Sequence, residues 1–325
     1  MIFRYTISTN VSIFYKSIGG DDLSASSPKK AYISLTLTAL LWGGNSVTAK
    51  YVVSQIEPMT AVFLRFSGIT FLLICLTLYQ EGKKGIPNLV QWPSIIAMGA
   101  FGLFINNALQ FIGLSYTSAV NCSLISATTP AMTASFTSFF MNAKLTGQQW
   151  LGVAASLFGV LLIISKGSLS AISSLNINYG DILIFFSQVS WAFYSIKGRS
   201  VMKTFSPIAT TAWTGLVGTI LFFLFAVWYG FDGEVNLNSY GWFSMIYMIL
   251  GSGILAFCWW NQGIVAIGPN RTTIFTNIIP LSGMCFATFF LHESINWSQL
   301  TGAACIIIGI CMTSLTSHWD FWHRH

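Results

Sequence analysis

From Gly85 to Ala143 the chain carries no Asp, Glu, Lys or Arg, a run of 59 residues. A charge held at mid-depth in a bilayer costs about 2.5–3.5 kcal/mol on insertion scales. One helix crosses the hydrocarbon core with about 20 apolar residues, so this run accommodates two crossings. Bare runs recur at Thr204–Phe231, Val235–Asn270, Thr272–His292 and Ser294–Trp319. Charged residues are 7% of the chain, against about 25% in soluble domains. A β-barrel would instead show short alternating segments. The sequence therefore predicts an all-α, polytopic membrane protein.

Helices are expected at 31–53, 59–79, 92–114, 118–141, 147–165, 180–201, 207–229, 241–264, 271–291 and 297–316, ten in all. Residues 1–30 are polar and read as a disordered tail, with a short interfacial helix as the minority reading. A first five-helix unit spans 31–165, a linker 166–179, a second five-helix unit 180–316, and a short tail 317–325. All six Cys fall inside predicted spans and read as packing residues. The four His have no metal-ligand spacing, so neither a metal nor a cofactor is expected.

Basic residues settle the expected orientation. With a cytoplasmic N-terminus, Arg4, Lys16, Lys29, Lys30, Lys83, Lys84, Lys144, Lys197, Arg199, Lys203, Arg271 and Arg324 share the cytoplasmic side, 12 of the 15 Lys and Arg. Both termini are then cytoplasmic, in the inner (plasma) membrane. Topology and contact with anionic lipid account for the net charge of +6 without a nucleic-acid partner. The expected partners are membrane lipids and a small-molecule substrate, with the chain a monomer or weak dimer.

Shifted by 149–150 residues, the sequence falls on itself. Trp42 meets Trp191, Lys50 meets Arg199, Pro58 meets Pro207, Pro130 meets Pro280, Gln149 meets Gln299, Gly152 meets Gly302, and Gly159 meets Gly309. Each unit holds five helices, an odd number, so the second starts on the opposite side of the membrane. This 5+5 inverted-topology repeat predicts a substrate site at the interface of the halves, near mid-membrane, and alternating access by rocking.

Leu41-Trp42-Gly43-Gly44-Asn45, Pro58 and Leu64-Arg65-Phe66 resemble the first helix pair of EamA-type transporters, the ten-helix branch of the drug/metabolite transporter superfamily. Pro130, Leu145-Thr146 and Gln149-Trp150-Leu151-Gly152 resemble the end of its first repeat. Gly180-Asp181, Trp191, Arg199 and Ser206-Pro207 resemble the start of the second, and Trp260-Asn261, Pro280, Glu293, Gln299 and Gly302 its end. The resemblance covers about residues 31–316 and rests on order and spacing. The family usually has Gly-Glu before helix 5; here Asn142-Ala143 takes that place, while His292-Glu293 keeps the acid in the second copy. The resemblance implies transport of small metabolites, amino acids among them.

Polar side chains in lipid need partners and turn inward. The candidates for substrate contact are Trp42 and Asn45 on helix 1, Asn107 and Gln110 on helix 3, and Asn121 on helix 4. The second half offers Gln188, Trp191 and Tyr194 on helix 6, Trp260 and Asn261 on helix 8, and Thr276 and Asn277 on helix 9. Each has interhelical packing as its rival reading. Pro130 and Pro280 read as hinges that leave the carbonyls of Ser126 and Thr276 free, or as packing kinks. Lys50 and Arg199 read as interfacial anchors or gate charges. Arg65 could snorkel, pair with Glu57 or Asp181, or meet a substrate carboxylate; structural pairing is the favoured reading.

No acid falls at the middle of a span. Proton-coupled carriers commonly use such a carboxylate, so uncoupled diffusion or exchange is expected, of neutral, zwitterionic or weakly anionic solutes. Amino acids or related compounds lead, moved outward. Alternatives are import of a nucleoside, vitamin or adenosyl-type cofactor and, further off, a channel or lipid scramblase. Phosphate esters are disfavoured because they would want a basic site at the centre. An enzyme is not expected, since no paired acids, zinc motif or activated Ser stand inside the spans.

Overall fold

The computed structural model describes residues 28–141, 146–164, 167, 178–231 and 234–322. The Asn142-Ala143 replacement, nearly all of the N-terminal tail, most of the linker and the last three residues lie outside them. The described residues form ten membrane-length segments and no strand. They are α1 (Pro28–Val53), α2 (Pro58–Gln80), α3 (Trp92–Tyr116), α4 in two pieces (Ala119–Ser126 and Thr129–Met141), α5 (Gly147–Ile164) and α6 (Tyr179–Val201). Then come α7 (Pro207–Trp228), α8 (Ser239–Ile267), α9 (Pro269–Ile274, a 3-10 turn Phe275–Asn277, and Ile278–Leu291) and α10 (Trp297–Trp322). Among them α2, α3, α7, α8 and residues Arg271–Leu291 of α9 are long and apolar enough by length and composition to cross a bilayer.

Local chemistry sets the helix starts. Pro58 and Pro207 stand in the first turns of α2 and α7, where the missing N–H is no loss. Glu57, Ser118, Asn178, Ser206 and Asn238 cap α2, α4, α6, α7 and α8 through their side chains, satisfying amides that the helix leaves open.

Contacts at the helix ends fix how the chain alternates. We call the side where α1 begins the near face and the side where it ends the far face. At the far face, Lys50 donates to the Leu114 carbonyl, Asn178 to the Tyr116 carbonyl, and Gln55 accepts from the Asn238 amide. At the near face, Gln91 donates to Thr204, Ser206 to Glu81, and Trp213 to the Gly85 carbonyl. Successive helices therefore run in opposite directions, and α6 starts on the face opposite to α1. The fold is a ten-helix bundle of two five-helix halves with inverted topology.

The halves meet through their own equivalents. Trp42 and Trp191, 149 residues apart, touch edge to face with ring centroids 5.5 Å apart. Thr70 and Thr219 share a 3.0 Å hydroxyl hydrogen bond between α2 and α7. In the α5–α10 crossing, Gly159 faces Gly302 and Gly309 faces Gly152; a Cβ on Gly302 would lie 2.7 Å from the Gly159 carbonyl oxygen. Small residues permit such close backbones where lipid supplies no hydrophobic drive for association. Equivalent residues meeting one another mark a pseudo-two-fold axis, and Trp42 and Trp191 sit on it.

Two local features repeat as well. Wide π-helical turns interrupt α3 at Met98–Ile105 and α8 at Leu250–Leu255, 152 residues apart at their starts and 150 at their ends; such turns recur at functional sites. Neither Pro130 nor Pro280 kinks a continuous helix. Each stands in the first turn of a new piece, behind a break at Ala127–Thr128 or the 3-10 turn Phe275–Asn277. A proline clashes with the preceding turn but fits a helix start. The Ser126 carbonyl is not left free as expected: the Thr129 hydroxyl reaches it at 2.7 Å.

Candidate functional site

At the pseudo-axis lies a small cavity of about 60 Å³, more than the roughly 10–15 Å³ that a single water requires. Seven helices line it, four from the first half and three from the second. α1 contributes Trp42, Asn45 and Ser46; α2 contributes Arg65; α3 contributes Asn106, Asn107 and Gln110. α4 supplies Ser126 and Thr129 on either side of its break, α6 Gln188 and Trp191, α8 Phe257, and α9 Thr276 and Ile279.

Seven of the residues expected to contact substrate thus share one cavity: Trp42, Asn45, Asn107, Gln110, Gln188, Trp191 and Thr276. The others do not line it. Tyr194 and Trp260 stand one layer behind, stacked on or tilted against Trp191 at 4.9 Å and 5.7 Å. Asn261 is buried further back and donates to Tyr194 and Thr211. Asn277 lies one residue beyond Thr276, rotated away by the 3-10 turn, with its Oδ1 buried and unpartnered. Asn121 belongs to the far face. Ser126 and Thr129 were missed as side chains; the signal was hydroxyls flanking a proline in a charge-free span.

The cavity's near wall is aromatic. Trp42 packs on Trp191, Phe257 and Trp260, and Trp191 packs on Phe257. The Trp42 indole N–H donates to the Ser252 carbonyl in the α8 π turn. On the opposite wall, Gln188 Oε1 lies 2.8 Å from the Thr129 hydroxyl. That hydroxyl's single proton serves either Gln188 or the Ser126 carbonyl at one time, so the proline break of α4 is coupled to α6.

Arg65 departs most from expectation. It neither snorkels nor pairs with an acid. It is 2% exposed and about 10 Å along α2 from the far end, at about 1.5 Å per residue. Its Nε donates to the Met248 carbonyl at 3.2 Å, Nη1 to Asn107 Oδ1 at 3.2 Å and Nη2 to Ser252 Oγ at 3.5 Å. Ser252 in turn donates to Asn45 Oδ1 at 2.8 Å. Two of these acceptors belong to α8 at its π turn, and Asn107 follows the π turn of α3. Among the described residues that line it, the central cavity therefore has one cation in its wall.

Beyond the cavity, toward the far face, opens a vestibule of about 590 Å³ lined by Lys50, Thr117, Asn121, Glu293 and Gln299 among others. A polar network forms its floor. Asp181, 1% exposed, accepts from Thr117 and from Asn121 Nδ2, at 3.1 and 3.0 Å for the latter. Asn121 Oδ1 accepts from Gln299 at 2.7 Å. Glu293, between α9 and α10, receives the backbone amides of Ala119 and Val120 at 3.0 Å each and so caps α4 from the other half. Asp181 and Glu293 thus clamp α4 to the second half at the far face. Arg199 is exposed at the opposite end of α6, near Gly268, and Lys50 lines the vestibule; neither reaches the cavity.

The model of the EamA-like transporter family matches residues 29–165 and again 178–315. The uncharacterized transporter YyaM of Bacillus subtilis is 32% identical over 284 residues, covering 87% of this chain and 93% of that protein. An uncharacterized transporter of Archaeoglobus fulgidus is 26% identical over 89% of this chain and 99% of its own length. A probable amino-acid metabolite efflux pump of Salmonella typhimurium is 24% identical over 87% and 94%. One solved crystal structure superposes with a TM-score of 0.67 at 17% identity, covering 90% of this chain and 99% of the other, and shares the fold.

Proposed function

The chain belongs to the EamA-like transporter family, and from that premise we propose that it moves amino acids or related neutral or zwitterionic metabolites outward across the plasma membrane by alternating access. The observation that carries this reading is the central cavity, shared by seven helices of both halves and lying on their pseudo-axis. A site built there is opened to either face when one half rocks against the other. In the conformation described, the rings of Trp42, Trp191, Phe257 and Trp260 close it toward the near face, and the Asp181–Asn121–Gln299 network stands between it and the far vestibule.

The amide and hydroxyl groups of the wall offer dipoles to polar solute groups, and the indoles offer apolar faces. No carboxylate lines this cavity among the described residues. Asp181 and Glu293 are engaged at the far face, so uncoupled transport or exchange is retained. The excess of basic residues on the near side supports a cytoplasmic location for both termini. The likeness to a named amino-acid metabolite efflux pump supports the cargo class and direction. The five-helix units at 31–165 and 180–316, and a monomer or weak dimer, complete the proposal.

The test is a thermal-shift screen of the purified chain against small metabolites, followed by counterflow of the hits in proteoliposomes. Saturable uptake stimulated by internal cargo, and unaffected by collapse of a proton gradient, is expected. Linear, unstimulated flux would identify a channel, and uptake that stops without a proton gradient would overturn the uncoupled reading.

A further inference from the structure

Arg65 is a fixed charge buried about a third of the way across the bilayer, with no counter-ion in the wall around it among the described residues. The acids that could have neutralised it are engaged elsewhere: Glu57 accepts from the Thr60 amide, and Asp181 from Thr117 and Asn121. Its three acceptors, a carbonyl, an amide oxygen and a hydroxyl, are all neutral. Phe66 and Phe111 lie against the guanidinium, 5.4 and 5.7 Å from Cζ to ring centroid. A guanidinium has five N–H donors. Three are used, one on each nitrogen, so Nη1 and Nη2 each keep one N–H. Arg65 lines the central cavity, where those two donors match the two oxygens of a carboxylate.

We infer that Arg65 is the anchor for a carboxylate on the transported molecule, and that the cargo best matched to the site carries one net negative charge. This rests on the transport reading above but moves the best-matched cargo from neutral or zwitterionic to monoanionic. A buried charge is costly when unpaired, so the wall is completed by an anion. One cation matches a monoanion; a phosphate dianion would bring one charge too many. A free amino acid also brings an ammonium group, and no lining carboxylate receives it among the described residues. The closer match is therefore an amino-acid derivative whose amine is acylated or missing, with its apolar part against Trp42 and Trp191. The cavity of about 60 Å³ has room for a head group of carboxylate size, and the aromatic wall must part to admit the rest.

The test uses the full chain in nanodiscs and four probes: 3-phenylpropanoate, N-acetylphenylalanine, phenylalanine and 3-phenylpropanamide. Both monoanions should raise the melting temperature, phenylalanine less, and the amide not at all. Arg65→Gln should weaken monoanion binding about 30-fold or more, the ordinary consequence of truncating one partner of a buried hydrogen-bonded charge pair. Arg65→Lys, which keeps charge but loses the fork, should fall between. Arg65→Gln also loses the hydrogen bonds to Met248, Asn107 and Ser252, so binding is compared on folded protein: a merely structural arginine would leave the preference for carboxylate over amide intact in Arg65→Gln, and the inference expects that preference to vanish. Amide binding equal to carboxylate binding, carboxylate binding retained in Arg65→Gln, or no shift by any carboxylate overturns the anchor. Phenylalanine binding more tightly than its N-acetyl form overturns the charge balance. Counterflow separates this from the parent reading: cargo-stimulated flux indifferent to Arg65→Gln sinks the anchor alone, and carboxylate binding without stimulated flux sinks transport alone.

Discussion

Gly43, beside Trp42 on α1, should accept even a methyl group only at a cost in stability. A Cβ there would overlap Ser282 Oγ outright, and would lie 2.8 Å from Ser282 Cβ and 2.9 Å from the Gly283 backbone nitrogen on α9. The hydroxyl can rotate away, but the Gly283 nitrogen cannot. Restoring ordinary carbon contact at about 3.5–4.0 Å requires α1 and α9 to part by about 0.5–1 Å. Overpacking of this kind costs about 1–3 kcal/mol, while Gly→Ala in a helix returns about 1 kcal/mol of intrinsic propensity. The net is a loss of about 0–2 kcal/mol, with the backbone contact favouring the upper half. The assay is thermal unfolding of Gly43→Ala in detergent, alone and with Ser282→Gly. Ser282→Gly removes the overlap with Cβ and Oγ but leaves the backbone contact, so the double variant should recover part of the loss, with a coupling of about 0.5 kcal/mol or more. Gly43→Ala melting above the wild-type temperature, or strict additivity with Ser282→Gly, would refute the close α1–α9 approach.

The far-face clamp gives two more expectations. In a variant keeping Cys122 as its only cysteine, Asp181→Ala should speed maleimide labelling of that buried thiol about 10-fold or more, because a hydrogen bond to a charged group contributes about 1.5–3 kcal/mol; an unchanged rate counts against the clamp. Glu293→Ala should lower stability by about 0.5–2 kcal/mol, as loss of a helix cap does, with Glu293→Gln milder because its amide oxygen still accepts; equal melting of all three chains would show that Glu293 does not hold α4.

The charge-free runs made the spans legible, because mid-bilayer charge is costly enough to shape composition along each crossing. The repeat was legible because Trp42 and Trp191, or Gly152 and Gly302, keep a near-constant offset; Trp42 and Trp191 meet on the axis, while Gly152 and Gly302 pack reciprocally, against Gly309 and Gly159. Burial around a helix was harder to read. Asn277 and Thr276 are adjacent, and only the 3-10 turn decides that Thr276 faces the cavity. Tyr194, Trp260 and Asn261 are inward-facing as expected but stand a layer back, since seven converging helices leave more inward surface than one small cavity uses. The partners of Arg65 were not legible, because they are Asn107 on α3 and a carbonyl and a hydroxyl on α8 near a π turn, and such a turn has no signature in this sequence. The prolines were recognised but not their effect: a helix that restarts leaves a hydroxyl, Thr129, to satisfy the carbonyl that a simple kink would expose.

Alternating access itself can be measured without knowing the cargo. A single reporter cysteine at Gln188, in a chain cleared of its native cysteines, is labelled by a membrane-impermeant maleimide from each face of sealed vesicles. A second pair of cysteines at Thr117 and Asp181 allows the far-face clamp to be locked by oxidation. The account predicts labelling from both faces in the reduced protein, and labelling from the near face alone once the clamp is locked. Labelling from the far face that survives the lock, or a lock that abolishes labelling from both faces, would contradict it.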